Sequence, residues 1–320
     1  MVREDIAFSI WADFIERDFL ETGFQELIQA GVVNGATSNP AIFKQAFTTS
    51  KAYQTQRAEM AGFKPKEIYE ALAIRDIQRA CDLLLPLYQA HDEGFVSLEV
   101  DPELCDNTIG TITEAIRLWH TIARPNAMIK IPATNAGFEA MKILAQEGIN
   151  VNATLVFSPE QAKRVMEAFS YGAGNFRGVV SVFVSRFDRK VDAKLPESLR
   201  AKLGIINAAK IYNLIETYDN LRVKCLFAST GVKGGGLPES YYIDELVAPL
   251  SINTAPVETI EAWCKNGSKE AKLPLENEVI ESYFAAIAPY VEIEALYVQL
   301  LEEGLSAFKV AFAELIDHLK

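Results

Sequence analysis

The chain has 320 residues, 49% of them hydrophobic and 23% charged, with a formal net charge of −12 at pH 7 and a pI near 4.9. That much apolar material supports a large core, in one or two domains or in a single α/β barrel. The acidic balance argues against nonspecific nucleic-acid binding, which needs a basic footprint, but leaves room for a small anionic substrate held by a few placed cations.

Residues 6–12 alternate weakly and end at Asp13, which predicts a first strand. Over 16–30, Phe19, Leu20, Phe24, Leu27 and Ile28 recur at helical spacing, and Gly31 closes that helix. Residues 35–40 read as a very short second strand with a turn, because Pro40 biases Asn39 away from helical backbone. Residues 41–90 are mostly helical, most clearly over 67–88, with Pro86 expected to kink or end the helix. Strand three follows at 95–100, a helix at 111–123, strand four at 127–133 and a helix at 137–147 capped by Gly148. Strand five is predicted at 152–157, and Pro159 suits the first helical position after it. Strand six (178–184), a helix (204–218), strand seven (223–229), a glycine-rich turn (231–236), a helix-like piece (241–246) and strand eight (250–254) come next. Helices at 276–289 and 292–319 complete the chain; the last places Leu296, Leu300, Leu301, Leu305, Phe308, Phe312 and Leu315 on one face.

Eight strands alternating with helices over 1–320, without a low-complexity linker, predict an α/β fold: a single (β/α)8 TIM barrel with extra helices, the 292–319 helix packing on the barrel. A doubly wound sheet is the alternative. It would carry a phosphate fingerprint after strand one, but 12–20 has no GxGxxG, and no GxxxxGK[ST] occurs anywhere.

Cys81, Cys105, Cys225 and Cys264 are widely separated with no CxxC, so buried free thiols are expected rather than zinc ligands or disulfides. The start of the chain has no basic region leading into an apolar one, and no 18-residue apolar run occurs. A cytoplasmic protein without a membrane partner is expected. His91, His120 and His318 occupy a turn-like segment, a late helical position and the C-terminal end, which weakens any Ser-His-Asp or Cys-His reading. The sequence does not reveal an oligomeric partner.

Strand four, Ala127-Met-Ile-Lys-Ile-Pro-Ala133, carries a lysine among apolar residues. Such a lysine is costly to bury unless neutral, paired or used. Two readings stand: a structural ion pair or edge lysine, and an amine nucleophile for a carbonyl substrate. Strand side chains alternate faces. The helix-facing parity reads apolar: Ile10, Leu98, Val100, Ile129, Ile131, Leu155, Phe157, Val180, Val182 and Val184. The opposite parity carries Ser9, Asp13, Thr37, Asn39, Ser97, Glu99, Lys130, Asn152, Thr154, Ser181, Phe183, Cys225 and Ser229. Many of these stand at C-terminal strand ends, where barrel enzymes gather their chemistry. Two carboxylates converging with one lysine favour the nucleophile. A neutral amine can form an imine, Asp13 can take and return a hydroxyl proton, and Glu99 with Thr154 can hold a water.

Two segments resemble signatures of the transaldolase family: Gly35-Ala-Thr-Ser-Asn-Pro-Ala-Ile-Phe43 and Met128-Ile-Lys-Ile-Pro-Ala-Thr-Asn-Ala-Gly-Phe138. Further stretches at 9–13, 97–101, 152–158, 181–186, 228–233 and 253–256 are similar too, and the likeness runs from about residue 6 to 318. The resemblance implies a (β/α)8 fold with a Schiff-base lysine, Lys130, on strand four. It implies transfer of a dihydroxyacetone unit from sedoheptulose 7-phosphate to glyceraldehyde 3-phosphate in the pentose phosphate pathway, with no metal or organic cofactor and with phosphosugars as the partners. By the same resemblance Asp13 is the acid/base, Glu99 and Thr154 manage water, Asn39, Asn152 and Ser181 contact the dihydroxyacetone hydroxyls, and Arg186 binds phosphate. Phe183, Ser229 and Lys233 complete the expected substrate-binding set, although Lys233 stands where many members carry arginine. A shorter aldolase type that releases free dihydroxyacetone shares the lysine but has Gln at the Glu99 position and Tyr at the Phe183 position. A barrel kept only for binding is the other alternative.

Overall fold

The structure, a computed structural model, describes residues 4–234 and 236–320. Among these, eight parallel strands close into a barrel in chain order. They are β1 (Ser9–Ala12), β2 (Ala36–Thr37), β3 (Val96–Glu99), β4 (Ala127–Pro132), β5 (Val151–Val156), β6 (Gly178–Phe183), β7 (Val223–Ala228) and β8 (Ile252–Ala255), with β8 pairing back on β1. Helices connect them, the longest of these being Pro65–Gln89, and the still longer helix Ile293–His318 follows β8. No helix among the described residues is long and apolar enough to cross a membrane. The four cysteines are free; Cys264 is exposed rather than buried.

Alternation sorts the strand side chains into two cores. Ile10, Leu98, Val100, Ile129, Ile131, Val180, Val182 and Val184 join the helices in the outer one. Trp11, Met128, Val179, Leu226 and Ile252 belong to the inner one, which fills the barrel. Two parity expectations are corrected. Leu155 and Phe157 lie in the inner cluster and Val156 in the outer one. Leu155 takes a left-handed φ of 57°, and the β5–β6 register shifts between Ala153 and Val156, so one extra residue exchanges the faces beyond it. Cys225 lies in the outer core with Phe227, because Leu226 and Ala228 are the residues of β7 that join the inner one.

Local sequence explains the other departures. The helix through 16–30 breaks at Thr22 into Arg17–Glu21 and Gly23–Gln29, where Thr and Gly are weak helix formers. Pro86 does not stop its helix, which runs on to Gln89. It lies in the last turn, where only Leu87, Tyr88 and Gln89 follow it in the helix, and Ala90 N–H still donates to Pro86 O at 3.1 Å. Two α-helices have no counterpart in the sequence reading: Ser185–Val191, directly after β6, and Val257–Asn266, which Pro256 opens.

The helix Asn135–Gln146 is tied closely to the end of β4. Thr134 caps it by accepting from Gly137 N–H at 3.0 Å, and its hydroxyl donates to Cys105 O at 2.6 Å. A Cβ on Gly137 would stand 2.0 Å from Pro132 O, an approach only glycine permits. Gly137→Ala is therefore expected to destabilise the fold by about 2 kcal/mol through overpacking, read as a lower urea midpoint with an unchanged slope.

Candidate active site

Strand register assembles the charged centre. Glu99 on β3 and Lys130 on β4 are direct Cα partners, and Lys130 is in turn the partner of Asn152 on β5. The three therefore stand side by side in the barrel interior. Both ionisable residues are 5% exposed. Lys130 Nζ lies 3.9 Å from Glu99 Oε2 and donates to the backbone oxygen of Ser38 at 3.1 Å. Glu99 Oε2 and Thr154 Oγ1 are buried without a protein hydrogen-bond partner. Thr154 is paired with Pro132, beyond Lys130 toward the C-terminal mouth.

The surrounding polar residues are held from several strands. Asn152 donates through Nδ2 to Ser97 Oγ at 2.9 Å and accepts at Oδ1 from Ser181 Oγ at 2.7 Å, linking β3, β5 and β6. Asp13, just past β1, accepts from Thr37 Oγ1 at 2.7 Å, and Thr37 shares a second hydrogen bond with Thr254 of β8 at 2.7 Å. Asn39 caps the helix Pro40–Thr49, its Oδ1 accepting from Ala41 N–H at 3.0 Å and Ile42 N–H at 3.1 Å. Its oxygen is committed to the cap, which leaves the amide nitrogen for other work.

Burial governs the titration. It raises the Glu99 carboxyl to about 7, with Lys130 opposing the rise and Asp13 adding to it. Burial also raises the Asp13 carboxyl, against the pull of Lys130 and then of the Thr37 hydrogen bond. A carboxyl brought to about 7 beside an amine can exchange protons with a substrate near neutral pH, and burial moves Asp13 in the same upward direction.

Arg186 stands in the first turn of Ser185–Val191, its guanidinium carbon 5.0 Å from the centre of the Phe183 ring. Burial lowers its pKa and Arg189 lowers it further, while Glu303 and Glu99 oppose. Ser229 follows β7 in a left-handed conformation, φ 56°, and its hydroxyl is 3.1 Å from that of Ser185, so the loops after β6 and β7 are joined. Lys233 is exposed on the loop beyond, and no hydrogen bond or ion pair joins it to this set among the described residues.

The C-terminal helix Ile293–His318 adds two residues that sequence reasoning did not assign to the site. Lys130 Nζ is 5.8 Å from the centre of the Phe308 ring. A Cβ on Gly304 would stand 2.9 Å from Leu155 Cδ2 and 3.1 Å from Arg186 Nη1. The helix thus passes over the same interior, against Leu155 and Arg186. A glycine inside a strongly periodic helix was the available signal, since it is costly there without a packing reason. Among the described residues, no group of three or more His, Cys, Asp or Glu side chains is placed to hold a metal ion. A cavity of about 450 Å³ opens on Met128, Phe95 and Val179 at the opposite, N-terminal end of the barrel, away from Glu99 and Asp13.

Asp13, Glu99, Thr154 and Arg186 therefore lie at or just beyond C-terminal strand ends around a buried amine. A family model described as transaldolase/fructose-6-phosphate aldolase matches residues 10–319. The chain belongs to the transaldolase/fructose-6-phosphate aldolase family. It is 46% identical over 311 residues to a transaldolase of Helicobacter pylori (strain P12), covering 97% of this chain and 98% of that one. It is 45% identical over 327 residues to a transaldolase of Campylobacter jejuni subsp. jejuni serotype O:23/36 (strain 81-176), covering 98% and 99% of the two chains. In this member of the family the helical cover depends on close approach at Gly304. Gly304→Leu is expected to lift the helix and speed labelling of Lys130 by an amine-directed reagent by at least about tenfold, a change of about 1.4 kcal/mol in the opening equilibrium. Peptide mass spectrometry of the labelled protein measures it.

Proposed function

We propose that this protein is a transaldolase. It reversibly transfers a dihydroxyacetone unit from sedoheptulose 7-phosphate to glyceraldehyde 3-phosphate, giving erythrose 4-phosphate and fructose 6-phosphate. A cytoplasmic setting in sugar-phosphate metabolism accompanies this reading. The observation that carries it is a buried amine 3.9 Å from a buried carboxylate whose pKa is raised to about 7.

The Lys130 amine adds to the ketose carbonyl carbon, and the carbinolamine loses water to form an iminium. Asp13 takes the proton of the hydroxyl two carbons from the iminium carbon. The bond between that hydroxyl-bearing carbon and the carbon next to the iminium breaks, the former leaves as the aldehyde of the aldose, and the electrons of the broken bond flow into the iminium to give an enamine. The enamine carbon then attacks the acceptor aldehyde, Asp13 returns its proton to the new alkoxide, and water releases the ketose. Glu99 Oε2 and Thr154 Oγ1, both buried without protein partners, suit the task of handling that water. The linked side chains of Asn152 and Ser181 suit the dihydroxyacetone hydroxyls, and the amide nitrogen of Asn39 is a further donor for them. Arg186 on the Phe183 ring supplies a planar cation for a phosphate, with Lys233 and Ser229 on the neighbouring loop. Glu99 and Phe183 favour transfer over the aldolase type, in which Gln and Tyr stand at those positions.

Borohydride added with fructose 6-phosphate should trap a three-carbon adduct on the peptide containing Lys130. No adduct, or one elsewhere, would refute the mechanism. With erythrose 4-phosphate also present, sedoheptulose 7-phosphate should form; steady release of free dihydroxyacetone would point to the aldolase type instead.

The raised Glu99 pKa also predicts a pH dependence. A base must be deprotonated, so kcat/KM should fall below an apparent pKa near 7. Glu99→Gln should lose about 100-fold or more in kcat and flatten that acid limb, since general acid–base catalysis contributes roughly 10²–10⁴.

A further inference from the structure

The N-terminal mouth of the barrel holds the cavity of about 450 Å³ that the transfer chemistry does not use. Its floor is apolar: Phe95, Met128 and Val179 are all buried. Tyr88 stands edge-on to Phe95, ring centres 5.3 Å apart at 83°, and gives the wall a second aromatic surface. Arg177, Arg222 and Lys224 line the same cavity, and Glu93 is the one carboxylate among its lining residues. Glu93 is already paired with Lys224. Arg222 donates to Gly172 O through Nη1 at 3.1 Å, while the Arg177 side chain has no hydrogen bond or ion pair among the described residues. On a chain of net charge −12, this mouth is locally cationic, and such a concave patch draws anions.

The backbone around it is unusual as well. His91 (φ 59°), Glu93 (φ 57°) and Leu250 (φ 51°) all line the cavity in the left-handed region that non-glycine residues avoid. Conformations of this kind persist where a site over-determines them and gather at ligand-holding positions. The N-terminal face of a barrel, left to stability alone, needs neither a spare arginine nor a concave mouth with an aromatic wall.

We propose that this cavity is a second binding site, for a small molecule that carries an oxyanion, phosphate or carboxylate, on a flat apolar body. The ring would lie in the mouth against Tyr88 and the rim of Phe95, above the buried Met128 and Val179, and the oxyanion would meet Arg177 and Arg222, whose planar forks suit either group. The volume fits, since small-ligand sites run from roughly 300 to 1,000 Å³.

Calorimetric titration of the full chain with phenyl phosphate, benzoate and benzyl alcohol tests this. At least one of the two anions should bind saturably at one site per chain, and benzyl alcohol should not. The tighter of the two anions identifies the preferred oxyanion. Binding should be unchanged in Arg186→Ala and at least about tenfold weaker in Arg177→Ala/Arg222→Ala, the loss expected when charged hydrogen bonds are removed. Arg177→Ala alone, which deletes a side chain with no partner in the fold, should weaken binding in the same direction. Transferase activity should survive in both arginine variants. Failure of both anions to saturate, loss of binding in Arg186→Ala, or wild-type affinity in the double variant would each overturn the proposal.

Discussion

A primary amine and a carboxylate buried on adjacent strands, 3.9 Å apart, set the terms for the rest of this molecule. Two unit charges 4 Å apart gain about 4 kcal/mol at an effective dielectric of 20. Removing each from water costs several kcal/mol, so the pair contributes little net stability. What sustains it is the sheet, because Glu99 and Lys130 are register partners and neither backbone can yield without breaking the ladder. The gap also matters. At 3.9 Å the amine is not held in a direct hydrogen bond to the carboxylate, and its bond within the protein runs to the Ser38 carbonyl at 3.1 Å. A tighter pair would stabilise both charged forms and leave the amine less free to become a nucleophile.

The surroundings maintain that balance. Burial is the largest cause of the shifts at Glu99, Asp13 and Arg186, so excluding water sets the electrostatics of the mouth. The C-terminal helix contributes to this exclusion, with Gly304 against Leu155 and Phe308 over the amine. Its exposed ion pairs, Lys190–Glu303 and Lys44–Glu314, are worth little each. Its anchor is aromatic: Phe312 meets Tyr69 at 5.2 Å and 86°, and Tyr69 meets Phe43 at 6.0 Å. The helix that covers the site is thus held by contacts with the helices Pro40–Thr49 and Pro65–Gln89, and the former is capped by Asn39, which follows the amine's Ser38 acceptor in the chain.

Period-two alternation made the barrel and most of its inward set legible, because a parallel barrel buries both faces and a polar residue on the inner one stands out. The same rule failed at β5, where left-handed Leu155 inserts a residue that nothing local announces. It failed at Cys225, whose small apolar side chain suits either face. Asp13, Glu99, Lys130, Asn152 and Ser181 could be grouped because each lies in or beside a strand. Phe308 and Gly304 could not, since a helix pattern shows which face is buried but not what that face lies against. Thr37, the hydrogen-bond partner of Asp13, was visible as an inward residue, but its pairing depends on how closely β1 and β2 approach.

Trp11, Met128, Val179, Leu226 and Ile252 form an apolar plug through the barrel, and this has an electrostatic consequence. On one side of it lie Glu99, Asp13 and Arg186; on the other lie Arg177, Arg222, Lys224 and Glu93. The plug keeps out water and ions that would otherwise connect the two mouths, so each can hold its own charge balance in an acidic protein. It is also continuous with the site through β4, where Met128 and Lys130 share one face two residues apart. Close-packed interiors transmit displacement rather than absorbing it. A side chain moved at Met128 therefore bears on the layer that sets the Lys130–Glu99 gap, and coupling between the two ends of this barrel would travel by packing rather than by charge.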